Sequence, residues 1–123
     1  MNELDIVLVR REVRRYCTEM HFSLINMTKL VTAASEIARN TLVYGGGGEV
    51  EIQCHDEGIR RGIRAVFTDK GCGIHDIALA MTDGFSTGVG LGFGLSGSKR
   101  LVDQFEISST PGIGTTVSIT KWK

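Results

Sequence analysis

Glu49-Val50-Glu51-Ile52-Gln53-Cys54, the turn signal Asp56-Glu57-Gly58, and Ile63-Arg64-Ala65-Val66-Phe67 running into Asp69-Lys70-Gly71-Cys72-Gly73 form the stretch on which the fold turns. Polar and apolar residues alternate on both sides of the turn, which is the period of a half-buried strand. Two such strands around a glycine turn predict a hairpin. Its second strand delivers Asp69 to a chain reversal made of glycines, where backbone can lie close to a ligand without a Cβ in the way.

Working outward, residues 24–43 predict a helix capped by Ser23 and stopped by the run Gly45-Gly46-Gly47-Gly48. Met27, Leu30, Val31, Ala34, Ile37, Ala38 and Leu42 fall on one stripe at about 100° per residue. Residues 4–21 predict a first helix, with Leu4, Val7, Leu8, Val13 and Cys17 as its apolar positions. Downstream, the pattern predicts a short helix at 75–82, a glycine-rich loop at 83–94 and a helix at 95–104. Strands at 105–110 and 115–122 follow, joined by Pro111-Gly112-Ile113-Gly114. Grouped helices and strands with short joins predict a two-layer α/β (α+β) sandwich, its sheet covered on one face by helices.

Bulk properties narrow the class. The 123 residues suffice for a single domain spanning 1–123. Fourteen basic and fourteen acidic side chains balance, so no nucleic acid and no membrane is expected as a partner. The start Met1-Asn2-Glu3-Leu4-Asp5 lacks the order of a signal peptide. Three cysteines at long spacings, Cys17, Cys54 and Cys72, fit reduced thiols, and a cytoplasmic location is expected. The 16 glycines are nearly twice the ~7% average and cluster at 45–48, 71–73, 84–97 and 112–114.

Four pieces carry chemistry. Glu36 and Asn40 stand one helical turn apart, a carboxylate beside a neutral amide oxygen. The carboxylate suits proton abstraction from a hydroxyl. The amide oxygen suits a hard cation such as Mg2+ without adding charge. Asp69, with Gly71 and Gly73, can accept the exocyclic amine of a purine. Gly88, Gly90, Leu91, Gly92, Gly94 and Leu95 form a glycine-rich run entering a helix, where free N–H groups suit phosphates. Gly112-Ile113-Gly114-Thr115-Thr116 opens the last strand, and the Thr116 hydroxyl is a candidate for the same pocket. Each piece alone is ordinary loop or helix sequence; the ordered set of four points to ATP. The chain has no Gly-x4-Gly-Lys-Ser/Thr and no eukaryotic-type kinase motifs. Tyr44 and Trp122 read as packing residues.

Those four pieces resemble the boxes of the ATP-binding superfamily of gyrase, heat-shock chaperone, histidine kinase and MutL ATPases (GHKL). The resemblance implies a Bergerat-type fold with a mixed, mostly antiparallel sheet, ATP with Mg2+, and a mobile lid. More narrowly, Asp5-Ile6-Val7 with Arg10, Ser35-Glu36-Ile37-Ala38-Arg39-Asn40, and Asp83-Gly84-Phe85-Ser86-Thr87 ahead of Gly90-Leu91-Gly92 resemble the RsbT-type serine/threonine kinases of the stressosome. Gly94-Leu95, Lys99-Arg100-Leu101 and Asp103-Gln104-Phe105 extend the match. Relatives are the anti-sigma kinases RsbW and SpoIIAB.

That resemblance implies phosphorylation of a serine or threonine on a STAS-domain protein, in a stress or sigma-factor switch. It also implies binding and activation of a PPM-type phosphatase. It makes Glu36 the base, Asn40 the Mg2+ ligand and Asp69 the adenine reader supported by Thr116. The alternative it leaves is an ATP-dependent binding module, an anti-sigma factor or phosphatase activator with little catalysis. RsbT-type chains carry an edge strand ahead of the segment matching Asp5-Ile6-Val7. Only four residues precede it here, so the expectation is either that this strand is missing or that the sequence starts late.

Overall fold

The computed structural model describes residues 3–43, 47–70, 94–110 and 112–123. Among the described residues, three helices and four strands follow in the order α1 (Glu3–Glu19), α2 (Leu24–Val43), β1 (Gly48–Glu57), β2 (Arg60–Asp69), α3 (Gly94–Leu101), β3 (Gln104–Thr110) and β4 (Gly114–Trp122). The helix expected at 75–82, most of the loop at 83–94, and Gly71, Gly73, Gly88, Gly90, Leu91 and Gly92 lie outside the described residues.

α1 forms as expected, with Val13 and Cys17 in the core, but its first turns present Ile6 and Val9 inward rather than Val7 and Leu8. Ile6, Val9, Val13 and Cys17 are buried and follow one another at spacings of three and four, a single helical stripe. Val7 and Leu8, expected in the core, are 54% and 44% exposed. They lie off the stripe that Ile6 and Val9 define, so helical phase overrides their hydrophobicity. The helix also ends earlier than position 21. Phe22 N–H donates to the Cys17 carbonyl at 2.9 Å and His21 N–H to that of Thr18 at 3.1 Å. This is the bond pattern of a Schellman motif, with His21 at φ 60° in the place glycine usually takes.

Ser23 caps α2 as the sequence predicts: its Oγ accepts the Asn26 N–H at 3.1 Å. Leu30, Val31, Ala33, Ala34, Ile37 and Ala38 are buried, and Met27 and Leu42 pack at the margin. The small residues let neighbouring elements approach closely. Ser98 of α3 illustrates this, donating its hydroxyl to the Ala33 carbonyl at 3.4 Å while almost fully buried.

The sheet order is β1-β2-β4-β3, and every pairing among the described strands is antiparallel. The β1–β2 hairpin closes on a two-residue loop with Gly58 at φ 64°, as a primed turn requires at that position. Val50, Ile52, Ile63, Ala65, Phe67, Phe105, Ile107, Val117 and Ile119 alternate onto the face that packs with the helices. The other face carries polar residues around Trp122, which Arg60 covers at 4.5 Å and His55 stacks on at 5.7 Å. Gly62 lies opposite Trp122, and a Cβ there would run into that indole.

α3 ends at Leu101, three residues before the expected boundary. Asp103 is the cause. Its N–H bonds the Thr120 carbonyl, and its carboxylate takes the Trp122 N–H at 2.7 Å and the Lys121 ammonium at 3.2 Å. The chain is thereby turned directly into β3. No helix among the described residues is long and apolar enough to cross a membrane.

Candidate nucleotide site

One end of the sheet gathers the candidate residues. Asp69 closes β2 and stands between Gly48 of β1 and Thr115 of β4 in register. The last turn of α2 returns to that same end. Gly47, immediately before β1, donates its N–H to the Thr41 carbonyl at 2.9 Å. Asn40 therefore stands one residue from the point where α2 is tied to the start of β1. α3 joins β3 at the opposite end, where Gln104 pairs with Thr120. Its N-terminal residue, Gly94, consequently points toward the Asp69 end; the side chains of Gly94 and Leu95 are not among those described.

The Asp69 carboxylate is held in place. Its Oδ1 accepts the Thr115 N–H at 3.3 Å. Thr115 is buried, and its Oγ1 lies 2.8 Å from the Oγ of Ser109 across the β3–β4 pair. Ser109 also donates to the Gly114 carbonyl at 3.2 Å. Gly114, at φ 148°, lets β4 begin directly against β2: an added Cβ would collide with the Asp69 carbonyl oxygen.

This geometry corrects one assignment. Thr116 was expected to support Asp69, yet it pairs with Thr68 and Ser108 on the face away from the helices. Thr115 faces the site and contacts Asp69. The signal was available in the sequence. Phe67 and Asp69 share a face, as do Thr115, Val117 and Ile119, because side chains alternate with a period of two.

Glu36 and Asn40 lie on α2 at the edge of its buried stripe, both half-buried. Glu36 makes no hydrogen bond or ion pair among the described residues. The Asn40 Oδ1 is buried with no hydrogen-bond partner among them. A buried amide oxygen left unpaired costs about 1–3 kcal/mol, so such an atom implies a partner still to come. A hard cation is one that an amide oxygen suits, and the half-buried carboxylate one turn away adds the negative charge a cation site needs. The donor set thus fits Mg2+. Among the described residues there is no cluster of three or more histidine, cysteine or acidic side chains.

Burial pushes the Cys17 thiol up to about 11, so it is a core residue and no nucleophile. Cys54 is exposed, with its Sγ 3.7 Å from the Met20 Sδ.

Comparison with known proteins matches this architecture. Residues 26–123 fit the family model of histidine kinase-, DNA gyrase B- and HSP90-like ATPases. The serine/threonine-protein kinase RsbT of Bacillus subtilis (strain 168) is 43% identical, over 99% of this chain and 92% of its own length. The anti-sigma F factor of Clostridium novyi (strain NT) is 29% identical, over 91% of this chain and 82% of its own. Among solved structures, a mycobacterial sensor histidine kinase, MprB, superposes with a TM-score of 0.61 at 21% identity, covering 78% of this chain and 71% of that one, a likeness of fold.

Proposed function

Because the chain belongs to the RsbT family of serine/threonine-protein kinases, within the histidine kinase-, DNA gyrase B- and HSP90-like ATPases, we propose that it phosphorylates a STAS-domain protein on serine or threonine from Mg-ATP. Use of ATP comes with the family. We further propose that the same chain engages a PPM-type phosphatase as part of a partner switch in the cytoplasm. The observation that carries the catalytic part is on α2: a half-buried Glu36 carboxylate, uncommitted among the described residues, one turn from the Asn40 amide oxygen that is buried without a partner among them.

Each residue has a task in this scheme. Glu36 orients the acceptor hydroxyl and takes its proton as the oxygen attacks the γ-phosphorus in line. Asn40 would hold Mg2+ through Oδ1, and the cation would supply charge neutralisation to the phosphates as ADP leaves. Asp69 accepts the adenine amine, with Thr115 N–H holding the carboxylate in place. Gly94 and Leu95, at the start of α3, direct N–H groups and the positive end of the helix at the phosphates. Phosphoryl transfer has a loose transition state, so positioning outweighs the base, whose help is about 10²–10⁴-fold.

Likeness to the anti-sigma F factors supports a second reading, an ATP-dependent binding module with weak catalysis. One experiment separates the two. The protein is incubated with γ-labelled Mg-ATP and STAS proteins encoded near it, and phosphoamino acids are analysed. Label on serine or threonine, lost at least about 100-fold in Glu36→Gln with nucleotide affinity retained, supports the kinase. Full transfer by Glu36→Gln would remove Glu36 as base. No transfer alongside tight phosphatase or sigma-factor binding would favour the module.

A further inference from the structure

Ser109 is a polar residue at the nucleotide end that the scheme above leaves without a task. It sits in β3 opposite Thr115 on the helix-facing side. Among its contacts, its Oγ lies 2.8 Å from Thr115 Oγ1 and 3.2 Å from the Gly114 carbonyl oxygen. A serine hydroxyl has one proton, and a carbonyl can only accept. Both contacts become hydrogen bonds in one arrangement: Ser109 donates to Gly114, and Thr115 donates to Ser109.

In that arrangement the Thr115 hydroxyl donates its proton to Ser109 and keeps only acceptor capacity. Thr115 is the cross-strand partner of Asp69 on the same face of the sheet, so that hydroxyl neighbours a carboxylate that is itself an acceptor. Two acceptors side by side suit an N–H donor and repel a carbonyl oxygen. A 6-amino purine presents a donor at its exocyclic position, and a 6-oxo purine presents an acceptor there.

We infer that Ser109 is a positioning residue that holds the Thr115 hydroxyl as an acceptor and so helps the site choose adenine over guanine nucleotides. The inference rests on the proposed role of Asp69 as the base reader. Ser109 touches neither nucleotide nor reacting atoms; it acts through Thr115. Removing its hydroxyl frees Thr115 to rotate and become a donor, which relaxes the discrimination without touching Glu36 or Asn40.

The test is the affinity of non-hydrolysable ATP and GTP analogues for the wild-type protein, Ser109→Ala, Ser109→Thr, Thr115→Val and the double variant Ser109→Ala/Thr115→Val. One neutral hydrogen bond corresponds to about a two- to tenfold change in equilibrium. Ser109→Ala is expected to lower the ATP-over-GTP preference by that factor, with kcat at saturating ATP unchanged. Ser109→Thr, which keeps a hydroxyl on a strand-compatible side chain, should restore the preference. The double variant should discriminate no worse than Thr115→Val alone. An unchanged preference in Ser109→Ala, or equal loss for both nucleotides, overturns the inference while leaving the ATP reading intact. Failure of the wild-type protein to bind either analogue overturns the ATP reading and this inference with it.

Discussion

Replacing Asp103 with alanine tests how the end of the sandwich away from the nucleotide is closed. Lys121 is buried in β4, its side chain only 11% exposed, and Asp103 supplies the partner for its ammonium at 3.2 Å. Coulomb attraction at that separation is about 5 kcal/mol for an effective dielectric near 20. The Asp103 side chain is 33% exposed, so solvent screens a good part of it. The same carboxylate accepts the Trp122 N–H at 2.7 Å, a charge-assisted bond worth about 1.5–3 kcal/mol. Alanine removes both and leaves Lys121 charged without its partner, a situation that costs about 3–5 kcal/mol when burial is complete. With partial exposure, a loss of about 2–4 kcal/mol is expected, a large share of the roughly 5–15 kcal/mol that holds a domain together. Lys121→Met alone should cost less than about 1 kcal/mol, because the aliphatic stem is kept and Asp103 retains Trp122. The double variant should be more stable than Asp103→Ala, since no buried charge is left unpaired. Urea unfolding followed by tryptophan fluorescence reads all three. A loss below about 0.5 kcal/mol for Asp103→Ala, or a double variant no better than the single, would refute the reasoning.

Other consequences follow from single residues. His21→Gly should raise stability by about 0.5–1 kcal/mol in the same melts, because glycine takes the left-handed C′ position of α1 without a Cβ penalty; a loss of stability would mean that the imidazole matters. Gly114→Ala should weaken nucleotide binding by more than about tenfold and destabilise by roughly 1–3 kcal/mol, since its Cβ would meet the Asp69 carbonyl oxygen. Wild-type affinity in a nucleotide titration would disconnect the start of β4 from Asp69. Thiol alkylation near pH 8 should label Cys54 quickly and spare Cys17 until unfolding. Burial pushes the folded Cys17 thiol up to about 11 from its ordinary value near 9, so the fold favours the protonated form. Its contribution is whole below pH 9 and is lost as pH rises toward 11. Urea midpoints measured across that window should fall in the wild-type protein and fall less in Cys17→Ala; equal slopes would contradict the assignment.

What was legible in the sequence was legible through period and punctuation. The β1–β2 hairpin, the stripe of α2 and the Ser23 cap each repeat a pattern over several residues, so one exception does not spoil them. α1 was harder. Val7 and Leu8 are apolar and solvent-facing, and only Ile6 with Val9 reveals the true phase. The end of α3 depends on Asp103 meeting Lys121 and Trp122, eighteen and nineteen residues away in sequence, a contact that no local window contains. Thr115 was missed although alternation pointed to it, because a box motif names a pair of threonines and the strand's phase decides between them. Ser109 carries no motif at all; its place follows from the β3–β4 register.

The two ends of the sheet hold their polar groups in opposite ways. At the Asp103 end, the Asp103 carboxylate meets both the Lys121 ammonium and the Trp122 N–H, and the chain turns sharply through it. At the Asp69 end, the Asn40 amide oxygen is buried without a partner and the Glu36 carboxylate is uncommitted among the described residues, while Gly114 and the Ser109–Thr115 pair bring backbone and hydroxyls close to Asp69. Unmet polar atoms are unfavourable in an empty fold and favourable once a ligand meets them, so stability given up at this end is recovered on binding. Asp103→Ala should therefore lower stability without changing the ATP-over-GTP preference, and Ser109→Ala should change that preference at little cost in stability. Parallel changes in both quantities, in either variant, would show that the two ends are coupled and that this division is wrong.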